Sequence, residues 1–353
     1  MLVTPLSLAA FMAGKIALIG GDNPHAKGWL ETATNCPDIS EVVLCGDWGD
    51  HGDRYDTVSD IKGLEHVPSV EMALVCARNV DAPKCAKQLL QAGIPTLVEK
   101  PVARTSAEVA ELNALSASTG VIWSTCFLNR LHPAVVKMRD LLNEGIIGRL
   151  VSVEGRMVTS SVARRDPGHW LFQNEVAGGG ILHWLAIHTV DLVRFISGCN
   201  YSTVTAQTAT LIESIDVEEI ASAAFGLQGG AIGHIHAAYA LPRRYGDISM
   251  VFRGEKGDIT WQSWDYAGRQ DRLIIQSAVE PWASQEYVEL ACPAPGGDGY
   301  GGEMGTRFLQ LFLSSSRGER PSVCDGNDAL CALQFVEGAY KSAQTGKRVE
   351  LSS

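Results

Sequence analysis

Leu97-Val98-Glu99-Lys100-Pro101-Val102 is an apolar run that breaks into an acid, a lysine and a proline. Proline offers no N–H to a central ladder and forces the residue before it into an extended conformation, so the strand ends here with Lys100 at its carboxyl end. In an open parallel sheet, ligands bind in the crevice beyond those carboxyl ends, so an ammonium group there points at whatever the sheet binds. Alone, the tripeptide Glu99-Lys100-Pro101 fits a solvated surface turn equally well. The neighbouring segments decide between the two.

Upstream, Lys15 to Gly20 is a short apolar strand ending in glycine, followed by Gly21-Asp22-Asn23-Pro24-His25 and by helical spacing from Ala26 to Thr34. Strand, glycine turn, helix is the setting in which a dinucleotide pyrophosphate meets the N–H groups of a helix N-terminus. The glycine pattern is incomplete, because Asp22 and His25 stand where further glycines belong. A second strand, Glu41 to Cys45, leads to Asp47, 27 residues after Gly20, where a carboxylate grips a ribose 2′-hydroxyl and repels a 2′-phosphate. This favours NAD, with NADP as the alternative. Asp47 fits an ordinary loop aspartate as well.

A strand at Met72 to Cys76, the turn Arg78-Asn79-Val80-Asp81 and a helix from Ala82 to Ala92 closed by Gly93 complete another unit. A helix from Ser106 to Ser118 opens on Thr105 or Ser106 with Glu108 behind it, and Gly120 to Phe127 reads as one more strand. Repeated strand-helix units with short apolar strands mean an α/β, doubly wound parallel sheet. Beyond a helix from Pro133 to Asn143, longer alternating segments (150–159, 202–213, 220–225, 231–239 and 248–252) predict a large, mostly antiparallel open sheet with one face covered, in an α+β arrangement. The boundary is placed near Cys126: a dinucleotide-binding domain over 1–126 and a substrate-binding and oligomerisation domain over 127–353.

The second chemical constellation is Gly178-Gly179-Gly180 followed by His183, Trp184, His188 and Asp191. On one continuous helix Trp184, His188 and Asp191 fall on one face, and a histidine with a carboxylate at i+3 can be oriented and proton-competent. A core histidine satisfied by Asp191 fits the same spacing. His183 is a candidate supplement to His188. Trp170 and Trp184 offer flat apolar faces to a ligand ring, although Trp170 fits core packing better, while Arg130, Arg164, Arg165, Asp166 and His169 can bind hydroxyl or acid groups, the Arg164-Arg165 pair fitting a solvated loop as well.

The 353 residues are 46% hydrophobic and carry a formal charge of −11, which argues against nucleic acid and anionic membranes as partners and favours a small molecule. Nine scattered cysteines with no CxxC pair read as reduced thiols of a cytoplasmic protein. The first fourteen residues lack the basic start of a signal peptide, and no run reaches transmembrane length. His234 and His236 share a strand face but have no carboxylate pair nearby, so no metal site is expected.

Glu99-Lys100-Pro101, Asn129-Arg130-Leu131-His132-Pro133 thirty residues on, and Gly178-Gly179-Gly180 followed by His188 and Asp191 together resemble the Gfo/Idh/MocA oxidoreductase family. The likeness spans nearly the whole chain, including 145–148 and the closing 326–351 segment. It implies an N-terminal Rossmann domain, a C-terminal domain whose open sheet mediates homo-oligomerisation into dimers or tetramers, and NAD(P)-dependent oxidation or reduction of a hydroxyl on a sugar, glycoside or polyol. It implies that Lys100 contacts substrate and cofactor and that His188 is catalytic, with His188 taking the hydroxyl proton and Lys100 polarising the oxygen. The cofactor set then comprises Gly20, Asp22, His25, Asp47, Arg78, Asn79, Glu99 and Lys100. The chain departs from the pattern at Trp184, where many members have aspartate, at Ala82 and at Arg78-Asn79. Those departures keep two other readings open, a glycosidase or lyase that oxidises its substrate transiently, and a sensor without catalysis.

Overall fold

The computed structural model describes residues 13–162, 165–241, 246–264 and 271–351; Arg164 lies outside them. The first sheet is built from β1 (Gly14–Gly20), β2 (Ile39–Cys45), β3 (Asp56–Val58), β4 (Val70–Cys76), β5 (Thr96–Val98) and β6 (Trp123–Thr125), with α1 (Ala26–Asn35), α2 (Ala82–Gln91) and α3 (Ser106–Thr119) between them. All its pairings are parallel, in the order β3-β2-β1-β4-β5-β6. Apart from the largely exposed edge strand β3, which the sequence did not mark, these strands are short buried segments that follow the apolar runs of the sequence. Local signals set the helices: Thr105 and Glu108 form a capping box at the start of α3, and Gly93 and Gly120 adopt left-handed φ values just past α2 and α3.

After α4 (Pro133–Asn143) comes β7 (Leu150–Ser160), then the short helices α5 (Asn174–Ala177) and α6 (Ile181–Trp184), and α7 (Ile187–Ser197). Strands β8 (Tyr201–Ala209), β9 (Ile220–Leu227), β10 (Ile232–Leu241), β11 (Asp247–Gly254), β12 (Gly257–Trp264), β13 (Arg272–Ser277) and β14 (Val288–Ala291) follow. The chain closes with α8 (Glu303–Ser316), α9 (Gly326–Thr345) and β15 (Val349–Glu350). The second sheet has nine strands in the order β14-β13-β12-β11-β7-β10-β9-β8-β15, antiparallel except for β7 with β10. It is the expected mostly antiparallel sheet, three strands wider toward β14 than the alternation predicted.

The two sheets are tied together by helices from the end of the chain. α8 packs on α1 and β4, and α9 lies between α3 and β8. The loops at the carboxyl ends of β1, β4, β5 and β6 therefore face α6 and α7, and the expected site residues gather there. Among the described residues no single helix is long and apolar enough to cross a membrane, and no cluster of three or more His, Cys, Asp or Glu side chains could hold a metal ion.

Candidate active site

Lys100 is fully buried where β5 stops. Glu99 N–H still pairs with Val75 O, and Val102 N–H turns back to Glu99 O at 3.1 Å, so the chain reverses directly under the lysine. Lys100 Nζ donates to the carbonyl oxygen of Trp184 at 2.9 Å and sits 3.9 Å from the centre of the Trp184 ring. Burial pushes its pKa down to about 8, against the opposing pull of the Glu99 carboxylate.

Glu99 is the hub beneath it. One carboxylate oxygen accepts Lys100 N–H at 2.6 Å, the other meets His25 Nδ1, and the Tyr300 hydroxyl bonds the same carboxylate. His25 stacks on Tyr300 with ring centres 4.2 Å apart. Burial holds His25 below its ordinary pKa, with Glu99 opposing and Lys100 adding to the drop. A glycine-rich loop brings Tyr300 here: its N–H bonds to Gly28 O and to Thr32 Oγ1, and a Cβ at Gly299 would lie 2.2 Å from that hydroxyl.

His188 stands on the first turn of α7, buried, edge-on to Phe127 at 6.0 Å, and its Nδ1 has no hydrogen-bond partner. Burial drives its pKa well below the ordinary imidazole value, and the charge on Lys100 drives it further. The expected single helix through His183, Trp184, His188 and Asp191 does not form. The chain bends by 46° between the segments Asn174–Trp184 and Ile187–Ser197, so the i, i+4, i+7 face is broken at Leu185-Ala186.

Asp191 does not orient His188, and Arg130 does not reach for substrate. Arg130 grips Asp191 through Nε (2.9 Å) and Nη2 (2.5 Å), and its third nitrogen holds Asp328 at 2.9 Å and Val323 O at 3.0 Å. A fully buried carboxylate needs an ionic partner more than a neutral imidazole can supply, and the guanidinium fork fits it. His183 is also committed: Nε2 meets Ala103 O at 3.1 Å, and the ring lies so close under the glycine run that a Cβ at Gly178 would come within 2.7 Å of it. Burial lowers its pKa to about 4.

The glycine turn fits a dinucleotide. Gly20 and Gly21 have φ of +101° and +126°, and a Cβ at Gly21 would lie 2.2 Å from Asp47 O, so the turn runs directly past the end of β2. Asp22 and Asp47 are exposed at its rim, and Asp47 caps Gly49 N–H. The remaining cofactor candidates are engaged elsewhere: Arg78 pairs with Asp81, Asn79 donates to Ala177 O, and His25 turns inward to Glu99. On the substrate side, Trp170 donates its indole N–H to Asp22 O at 3.0 Å and meets Trp184 edge-on at 5.8 Å. His169 and Asp166 sit on the same loop, His169 accepting from Leu171 N–H and Asp166 from Gly168 N–H.

Two family models match the chain: residues 50–127 fit an oxidoreductase family with an NAD-binding Rossmann fold, and residues 135–260 fit the GFO/IDH/MocA C-terminal domain. Together they cover more than half of it. The chain belongs to the Gfo/Idh/MocA oxidoreductase family. Among its relatives are levoglucosan dehydrogenase of Pseudarthrobacter phenanthrenivorans, 25% identical over 327 residues with 82% of this chain and 83% of that protein covered, and D-glucoside 3-dehydrogenase of Escherichia coli, 22% identical over 99% and 98%. The fold matches that of a levoglucosan dehydrogenase complex with NADH and levoglucosan, with a TM-score of 0.83 at 22% identity over 96% of this chain and all of that one. A complex of GenD2 from gentamicin A biosynthesis with NAD gives 0.80 at 22% identity, over 99% and 100%. As a member of this family the protein is an NAD-binding dehydrogenase acting on CH–OH groups, with Lys100 at the carboxyl end of the Rossmann sheet.

Proposed function

We propose that the protein oxidises a secondary hydroxyl of a cyclic sugar or glycoside, and reduces the corresponding ketone, with NAD in preference to NADP. The observation that carries this reading is a fully buried lysine at the carboxyl end of β5, poised near neutrality beside His188 and adjoining the glycine turn. Relatives named for levoglucosan and D-glucosides support a pyranose ring as substrate.

Bound NAD supplies the acceptor for the hydride that leaves the carbon. The hydroxyl proton goes to the neutral amine of Lys100, whose pKa of about 8 suits proton exchange near physiological pH. This reverses the roles expected from the sequence: His188 is too deeply buried, and too close to Lys100, to hold a proton, so it acts as a neutral hydrogen-bonding partner of the substrate oxygen. Trp170, His169 and Asp166 line the approach from the loop before α5, and Asp47 receives the adenosine ribose. We further infer that copies associate through the outer face of the nine-stranded sheet, and that the nine free thiols belong to a reducing compartment such as the cytoplasm.

The test is NADH formation on mixing the protein with NAD and levoglucosan, D-glucosides and inositols, repeated with NADP. Turnover rises with pH through about 8 as Lys100 loses its proton, and reduction of the ketone falls over the same range. Lys100→Ala abolishes turnover, and His188→Ala lowers it by about a hundredfold or more. No NADH with any member of the panel sinks the reading.

A further inference from the structure

Lys100 Nζ has one hydrogen-bond partner among the described residues, and that partner is a backbone carbonyl. In an unbroken helix, Trp184 O would receive the N–H of His188, four residues on. Here the chain bends after Trp184, and His188 N–H bonds instead to Leu185 O at 3.1 Å. The bend frees the Trp184 carbonyl, and Lys100 takes it. The same residue puts its indole against the ammonium group at 3.9 Å. That indole is itself held, edge-on by Trp170 at 5.8 Å and by His25 at 5.4 Å.

We propose that Trp184 is the positioning residue for Lys100: its carbonyl and indole face form an uncharged seat that engages one N–H bond and one side of the amine, and leaves its lone pair and remaining N–H for the substrate oxygen. The proposal rests on Lys100 as the group that handles the substrate proton. The titratable groups facing Lys100 are Glu99 beside it, Cys126 past β6, His25 at the start of α1, His183 on α6 and His188 on α7. Burial holds the three histidines below, and Cys126 above, their ordinary values, so none of these four adds a charge near pH 7. An uncharged seat therefore lets the amine release its proton, where a second carboxylate would hold the proton on.

The experiment follows the titration of Lys100 itself by NMR of the full-length protein with isotope-labelled lysine side chains, the signal being assigned by its loss in Lys100→Arg. Trp184→Phe keeps the carbonyl and a smaller ring face, and leaves the midpoint within about half a unit. Trp184→Leu keeps the carbonyl but removes the ring, so the midpoint falls and kcat drops while KM for NAD holds. Trp184→Asp raises the midpoint by about one unit or more and moves the rising limb of the oxidation pH profile with it. A midpoint that stays at the wild-type value in both the Leu and Asp proteins overturns the proposal. Should the Asp protein fail to fold, the contrast between Leu and Phe decides. Midpoints that move as expected without oxidation of any sugar sustain the seat and refute the proposed activity.

Discussion

Burying a lysine costs the fold whatever function it serves. In the unfolded chain Lys100 holds its proton up to the ordinary value of 10.5, whereas in the folded protein it holds it only to about 8. Between those values the unfolded state binds more protons, so stability rises with pH across that window, and below it the full penalty is present. Lys100→Met removes the buried charge, keeps most of the volume and gives up the bond to Trp184 O. The expected outcome is an inactive protein more stable than the wild type by about 2–3 kcal/mol at neutral pH, the difference shrinking as pH rises from about 8 toward 10.5. Urea denaturation at neutral pH and again near the upper limit measures both. A Met variant less stable than wild type at neutral pH would mean that Glu99 and Trp184 compensate the charge completely.

The elements differ in how legibly they were written. The start of α3 was readable because Thr105 and Glu108 lie three residues apart and satisfy each other locally, and α4 because Pro133 opens it. The break between α6 and α7 was not. Neither Leu185 nor Ala186 is a helix breaker, and the bend is fixed from outside: Glu218, distant in sequence, accepts the N–H groups of Gly180 and Leu182, and Lys100 claims the Trp184 carbonyl. For the same reason the sequence paired Asp191 with its helical neighbour His188, when the partner lies sixty-one residues earlier on Arg130. Removing one member of that pair strands a buried charge. Asp191→Ala is expected to cost about 3–5 kcal/mol, and Arg130→Met with Asp191→Leu clearly less than the sum of the two single changes. A double-mutant cycle by urea denaturation checks it, and simple additivity would remove Arg130 and Asp191 from the account of how α7, and His188 with it, is held.

At the scale of the whole molecule, most of the parallel sheet was legible because β1, β4 and β5 are self-contained apolar runs each followed by its own helix, whereas the edge strand β3, the largely exposed Asp56-Thr57-Val58, carries no such run and was not read. The nine-strand order was not, since the parallel pairing of β7 with β10 joins segments far apart in the chain. The most global property, the charge of −11, is readable from sequence alone and bears on the substrate. A negatively charged body repels anions as they approach and is indifferent to neutral sugars. With NAD saturating, kcat/KM for a neutral glycoside should therefore change less than about twofold between low and high salt, because there is no charge on the substrate to screen. For the matching uronic acid, kcat/KM should start lower and rise as salt is added, since screening weakens the repulsion. If the acid is instead the better substrate at low salt and loses that advantage as salt rises, local cations at the cleft outweigh the net charge. The preferred substrate would then be a sugar acid rather than a neutral ring.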